Sequence, residues 1–275
     1  MSEITLLLAL CLILLTLFVV LTERKFLAYA QRRMGPATMG RNGFLQIGLD
    51  LIKLITKEMF LIPRPATAAA PIFLALLYAS QLVFLQNFIF APNAFTTASP
   101  DSLLLYHIIF ILLSNIFFSL VGLVSQSRYA LLGIVRALLH AISLDIFVTL
   151  VYVLLVYAAQ SVHFADIVTS QNTYWYATIC APFSASFLLL LLLESKRAPF
   201  DHAETESEVV AGYAVEYSGT MLLMFYLAEY LHLIIASVHI IMFVAGGWCM
   251  GSLLTAVAPH LATAHVALTF TALIR

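Results

Sequence analysis

The chain has 275 residues, of which 63% are hydrophobic and 10% charged, with a mean hydropathy of +1.01. Soluble domains carry about 45–50% apolar and about 25% charged residues, so this composition excludes a water-soluble globule, a disordered chain and a nucleic-acid binder. Thirteen Lys+Arg against 14 Asp+Glu leave a net charge of -1, with no bulk attraction to polyanions. Cys11, Cys180 and Cys249 are far apart and lie in apolar stretches, which offers no disulfide framework, metal site or iron–sulfur ligand run. The chain reads as an integral membrane protein.

A helix needs about 20 apolar residues to cross about 30 Å of hydrocarbon. The first such stretch, Ile4 to Thr22, is uncharged and has no basic leader, so it reads as a retained span and not as a targeting signal. Further spans are predicted at about Ala70–Ala91, Leu103–Ser125, Ile142–Ala159, Tyr174–Glu194, Ser218–Val244 and Ala256–Ile274. The predicted fold is thus an all-α, polytopic membrane helix bundle with seven transmembrane helices. With these spans all thirteen Lys and Arg fall on one side: eight between spans one and two, then Arg128, Arg136, Lys196, Arg197 and Arg275. The connections near Pro92–Asp101, Gln160–Thr173 and Ala245–Leu254 contain none. The positive-inside rule then places the basic loops in the cytoplasm or mitochondrial matrix.

Between spans one and two, Gly43–Leu61 carries Gln46, Asp50, Lys53 and Lys57 at spacings of four, three and four, with apolar residues elsewhere. This is one polar stripe on an amphipathic helix. Burying its charges would cost about 2.5–3.5 kcal/mol each, so the helix is expected to lie in the membrane interface and not to cross. Pro63 and Pro65 are expected to stop it.

The connection after span five is the most charged segment, with Asp201, Glu204, Glu206 and Glu208 close together, followed by Glu216. Four neighbouring carboxylates repel one another and should not all ionise at their ordinary pKa, so the cluster can hold exchangeable protons. The plainer reading is a solvated acidic loop balanced by Lys196 and Arg197. Inside or at the ends of the spans stand Asp145, Glu194 and Glu229, which must face the bundle interior or water and are the usual material of proton relays. Here too a plainer reading stands beside the functional one, in which Asp145 and Glu194 pair with Arg136 and Arg197. His232 and His239 follow Glu229 on one helical face, either extending a polar track or bonding neighbouring helices. Gly246 and Gly247 read as a turn with close packing.

A set of ordered motifs covers most of residues 22–230: Thr22-Glu-Arg-Lys, Gln31-x-Arg-x-Gly-Pro36, Gly40-x-x-Gly-x-Leu-Gln46, Asp50-x-x-Lys-x-x-x-Lys-Glu58, Tyr129-Ala-Leu-x-Gly-x-x-Arg136, Pro199-Phe-Asp-x-x-Glu-x-Glu-Ser-Glu208, Gly212-Tyr-x-Val-Glu-Tyr217 and Leu227-Ala-Glu-Tyr230. Together they resemble NADH–ubiquinone oxidoreductase chain 1, the membrane subunit at the heel of respiratory complex I. The stretch from Glu194 to Tyr230 is the most specific part of the match.

The resemblance implies a subunit that forms the wall and mouth of a ubiquinone tunnel with peripheral-arm partners and begins the acidic path to proton pumping. It implies that Arg24, Arg33 and Arg275 belong to the tunnel or its entrance, and that Asp201, Glu204, Glu206 and Glu208 form the acidic loop by the quinone. Asp145, Glu194, Glu216 and Glu229 would continue the proton relay, although many family members have Glu where Asp145 stands. Ubiquinone would be the substrate, with FMN and iron–sulfur clusters held by partner subunits and no metal in this chain. The implied partners are other complex I membrane subunits, the quinone-site peripheral subunits and membrane lipid, without nucleic acid. The implied location is the mitochondrial inner membrane or a bacterial plasma membrane. The family normally continues past the arginine matched by Arg275 into an eighth span, so the chain is expected to be one C-terminally short domain, 1–275, completed by a second polypeptide, with a shortened chain or an unusual family member as the alternative. Two alternatives are the equivalent subunit of a membrane-bound hydrogenase and a free-standing secondary transporter. The latter would need inverted repeats, and no pair of matching interrupted spans is visible.

Overall fold

The computed structural model describes residues 2–59, 69–89, 103–172, 175–179, 181–197, 200–201 and 212–247. Among them every regular element is helical: α1 (Ser2–Ala30), α2 (Gln46–Thr56), α3 (Ala70–Ile89), α4 (Leu103–Ser125), α5 (Arg128–Ala159), α6 (Phe164–Thr169), α7 (Tyr176–Ile179), α8 (Ala181–Glu194) and α9 (Gly219–Phe243). Single 3-10 turns occupy Arg41–Gly43, Ser170–Asn172 and Gly212–Ala214. The predicted all-helical membrane architecture holds. Among the described residues three helices, α4, α5 and α9, are long and apolar enough to cross a bilayer, and α3 and α8 contain shorter apolar runs. The predicted seventh span lies outside the described residues.

The spans α4 and α9 match the sequence prediction to within a residue at each end. Two helices are longer than predicted. The first, α1, continues past Thr22 through Glu23, Arg24 and Lys25 to Ala30. It ends where Arg32 takes a left-handed φ of 55° and the Arg33 amide donates to the Ala28 carbonyl at 2.9 Å. The second, α5, begins at Arg128, fourteen residues before the predicted span, because Ala, Leu and Arg there favour a helix whatever surrounds it. Its 32 residues rise about 48 Å, more than the hydrocarbon needs, so Arg128 and Arg136 belong to a helix and not to a loop. The connection after α5 also holds the short helix α6, braced by the Ser161 hydroxyl, which donates to Asp166 at 2.7 Å and accepts from the His163 amide at 3.1 Å.

Helix α2 is the predicted amphipathic helix, shorter than expected, and none of its residues is buried. Leu49, Ile52 and Ile55 present an exposed apolar stripe, as a helix lying in a bilayer interface requires. It stops at Thr56, before either proline. The Thr56 hydroxyl donates to the Ile52 and Lys53 carbonyls, and Lys57 turns to extended backbone.

The described residues divide between two compact units. In the first (Met1–Gln86, Phe117–Ile134, Ala203–His232) Phe118 meets Phe225 edge-on at 5.7 Å, and His232 at 6.3 Å. In the second (Asn87–Ile116, Val135–His202, Leu233–Arg275) the fully buried Tyr152, Phe187 and Phe243 form a triad of edge-to-face rings, 5.3–6.3 Å apart. Such pairs each add about 0.5–1.5 kcal/mol beyond area burial. Gln171, also fully buried, ties the turn after α6 to the end of α9 by donating to the Met242 carbonyl at 3.1 Å. Serine and threonine hydroxyls within the spans, such as Thr16, Ser114 and Ser237, donate to the carbonyl three residues back, which satisfies them without water.

Candidate functional site

Because α1 runs on past its apolar stretch, its last turns carry Glu23 and Arg24 to the polar side of α2. The Arg24 Nη1 donates to Asp50 Oδ2 at 2.6 Å, and Gln46, one turn earlier on α2, donates to Asp50 Oδ1 at 3.1 Å. On the other flank of the α1 terminus, the Tyr230 hydroxyl of α9 donates to Glu23 Oε2 at 2.7 Å. The entry to α9 closes on the exit from α2: Gly219 packs on the Lys57 and Glu58 carbonyls, and the Thr220 hydroxyl meets the Met59 sulfur. The result is a polar corner built from α1, α2 and α9, partly open to solvent.

Just before α9, Tyr217 is buried and its hydroxyl donates to the Val121 carbonyl of α4. Burial, with the Glu216 carboxylate second, pushes its phenol from the ordinary 10.0 up to about 12.

The second unit holds a separate polar group. Glu194 ends α8 as predicted and is only 5% exposed. It lies close enough to Asp145 of α5 for their charges to act on each other, and Lys196 in the following turn acts on both. Glu194 also acts on the Tyr152 hydroxyl of the aromatic triad. Asp145 receives a hydrogen bond from Asn115 Nδ2 of α4 at 3.3 Å. With α5 starting at Arg128, Asp145 is the eighteenth of its 32 residues and the fourth of the apolar span predicted from Ile142, and its partner Asn115 is near the midpoint of α4.

The remaining predicted residues are more scattered. Arg33 is exposed at the exit of α1, while Asp201, Glu216 and Glu229 are half-buried. Glu204, Glu206, Glu208 and Arg275 lie outside the described residues. His232 and His239 are buried against aromatic rings, Phe118 and Phe243 respectively. Gly246 and Gly247 form the predicted turn at φ of 79° and 54°, the first against Trp175. The residues missed as participants are Glu23, Asp50, Tyr230 and Asn115. Three of them sit inside the motif fragments already noted, but their pairings span 26 and 207 residues and have no local signature. Among the described residues no three His, Cys, Asp or Glu side chains gather as a metal site.

Long apolar helices, an amphipathic helix with an exposed apolar stripe, and a buried carboxylate, Glu194, beside the half-buried Asp145 define a polytopic membrane protein with a buried titratable group. The pattern of the NADH dehydrogenase family matches residues 3–275. The chain is 33% identical over 236 residues to NADH-ubiquinone oxidoreductase chain 1 of Paracentrotus lividus, covering 84% of this chain and 71% of that protein. It is 34% identical over 242 residues to the chain 1 of Metridium senile, covering 84% and 69%. To a NADH-quinone oxidoreductase subunit of the bacterium Parvibaculum lavamentivorans it is 34% identical over 239 residues, covering 86% and 70%. The chain belongs to the NADH dehydrogenase family. It is a multi-pass protein of an inner membrane, mitochondrial or bacterial.

Proposed function

We propose that the chain is the membrane subunit of a multi-subunit NADH–quinone oxidoreductase, lining the quinone tunnel and starting the acidic relay that couples quinone reduction to proton translocation. The observation that carries the reading is the Asp145–Glu194–Lys196 group: two carboxylates whose charges act on each other, Glu194 only 5% exposed and Asp145 half-buried. Carboxylates at such a site are costly to keep unless they do something, and proton exchange is their commonest use in membranes. The α1–α2–α9 corner supports the other half of the proposal. Arg24, Asp50, Glu23 and Tyr230 offer donors and acceptors on the polar side of α2, the helix whose other side is an exposed apolar stripe, which suits a polar headgroup carried on a long apolar tail.

Reduction of a quinone consumes two electrons and two protons. The electrons come from redox groups on partner subunits, since this sequence has no ligand set for a cluster or haem. The residues of this chain act on protons and on position. Arg24, with Arg33 and Arg275, guides the headgroup at the entrance. Asp201, Glu204, Glu206 and Glu208 respond to the protons drawn by the quinone, and Asp145, Glu194, Glu216 and Glu229 pass the change in protonation along the membrane. The test is the intact complex in proteoliposomes. Glu194→Gln, and the triple variant Glu204→Gln, Glu206→Gln, Glu208→Gln, should each lower the protons moved per quinone reduced at least several-fold. Full pumping in both would overturn the relay.

A further inference from the structure

We propose that Asn115 is a positioning residue for Asp145, holding the carboxyl in place between α4 and α5 in both of its protonation states. The inference rests on the relay reading above and adds to it a residue with no charge of its own.

Asn115 is 9% exposed at the midpoint of a 23-residue apolar helix. A primary amide there is costly unless it is hydrogen-bonded, and the bond it makes is to Asp145 Oδ1, thirty residues away on α5. The neighbouring hydroxyl of Ser114 is already committed to the Ile111 carbonyl of its own helix, so of these two side chains only Asn115 reaches across to α5.

The chemistry of the amide explains why an asparagine suits this place. An ionised carboxylate only accepts hydrogen bonds, whereas a protonated carboxyl must also donate one. A cation such as Lys196 answers the first need and opposes the second. A backbone carbonyl does the reverse. The carboxamide does both, because Nδ2 donates to the carboxylate and, after a local rotation, Oδ1 accepts from the acid. The charged and titratable groups that face Asp145 among the described residues are Glu194 and Lys196 at the end of α8, with the Tyr152 hydroxyl beyond Glu194. Two of these charges oppose each other, and Asn115 adds none. It keeps the carboxyl in place while Glu194 and Lys196 set the proton's preference.

The experiment compares Asn115→Leu, Asn115→Gln and Asp145→Asn in the assembled complex. Two readouts are followed: protons moved per quinone reduced across a pH series, and the infrared carboxyl band that Asp145→Asn abolishes. Asn115→Leu should shift the midpoint of the pumping profile by about one pH unit and displace the Asp145 band, as loss of a hydrogen bond to a carboxyl does. Asn115→Gln, which keeps the amide, should restore most of both. Should the leucine variant fail to assemble, Asn115→Ser, whose hydroxyl is too short to reach α5, takes its place with the same expectation. An unmoved pH profile and band in Asn115→Leu, with pumping lost in Asp145→Asn, overturns the positioning role alone. Full pumping in Asp145→Asn overturns the relay reading beneath it.

Discussion

Gly219 shows how much one absent atom decides. Its φ of 59° is left-handed, and a Cβ there would sit 2.8 Å from the Lys57 carbonyl oxygen. That carbonyl is backbone and has little room to retreat. Gly219→Ala should therefore destabilise the protein by about 1–3 kcal/mol, read as a lower melting temperature of the purified complex. Gly48 is the control. A Cβ there meets nothing within 4 Å, and the residue is helical, so Gly48→Ala should be neutral or stabilise by about 0.5–1 kcal/mol. Arg24 makes the opposite case. Its pair with Asp50 is 52% and 36% exposed, and such pairs contribute about 0–1 kcal/mol. Arg24→Gln should leave the melting temperature nearly unchanged and raise the KM for quinone several-fold, which separates a ligand-guiding role from a structural one. At Tyr217 the sign follows from its raised phenol. The folded protein keeps the proton that the unfolded chain releases above pH 10, so the stability it contributes is present below about 10 and lost as pH rises toward about 12. The stability advantage of the parent over Tyr217→Phe should shrink across that window in thermal unfolding.

Among the elements, α2 and α5 expose apolar surface that a soluble protein would hide. The α2 stripe of Leu49, Ile52 and Ile55 is narrow, and its opposite side carries Asp50 and Lys53, which fits an interface. Along α5 the exposed apolar residues run through Leu139, Ile142, Ile146, Leu150 and Val153, repeating every three or four positions as one lipid-facing side does. Leu150→Lys, at the middle of the apolar run from Ile142 to Ala159, should cost about 2.5–3.5 kcal/mol of insertion energy and reduce the yield of membrane-inserted protein, whereas Ser143→Lys, near its basic end, should be milder. The elements also show where local reading is sound. The α4 boundaries were legible because an uninterrupted apolar run leaves the backbone no alternative to a helix in lipid. The start of α5 was not, because hydropathy marks where lipid begins and helix propensity marks where the helix begins, and the two differ by fourteen residues. The end of α2 at Thr56 precedes the prolines for a related reason. A proline can stop a helix, but the chain had already turned at Lys57 to meet the entry of α9.

Over the whole molecule, charge asymmetry gives a topology that can be checked directly. The α4–α5 connection and the one after α5 should open on opposite faces, the first on the basic side. In a variant whose native cysteines are replaced, an impermeant thiol reagent should label Ser127→Cys from the basic side only and Ser161→Cys from the other only. Labelling of both from one side would overturn the span order.

The amino-acid order determined a helical membrane protein, its family and its list of acids, because lipid punishes every unpaired backbone group and every ionised side chain, and so the few that remain stand out. Which acids work together was decided by tertiary structure. Asp145 and Glu194 act on each other, Asn115 reaches Asp145 across thirty residues, and Tyr230 reaches Glu23 across 207. Hydropathy runs along one helix at a time and holds no information on which faces of two helices meet. That is settled only when side chains from distant spans compete for the same small interior.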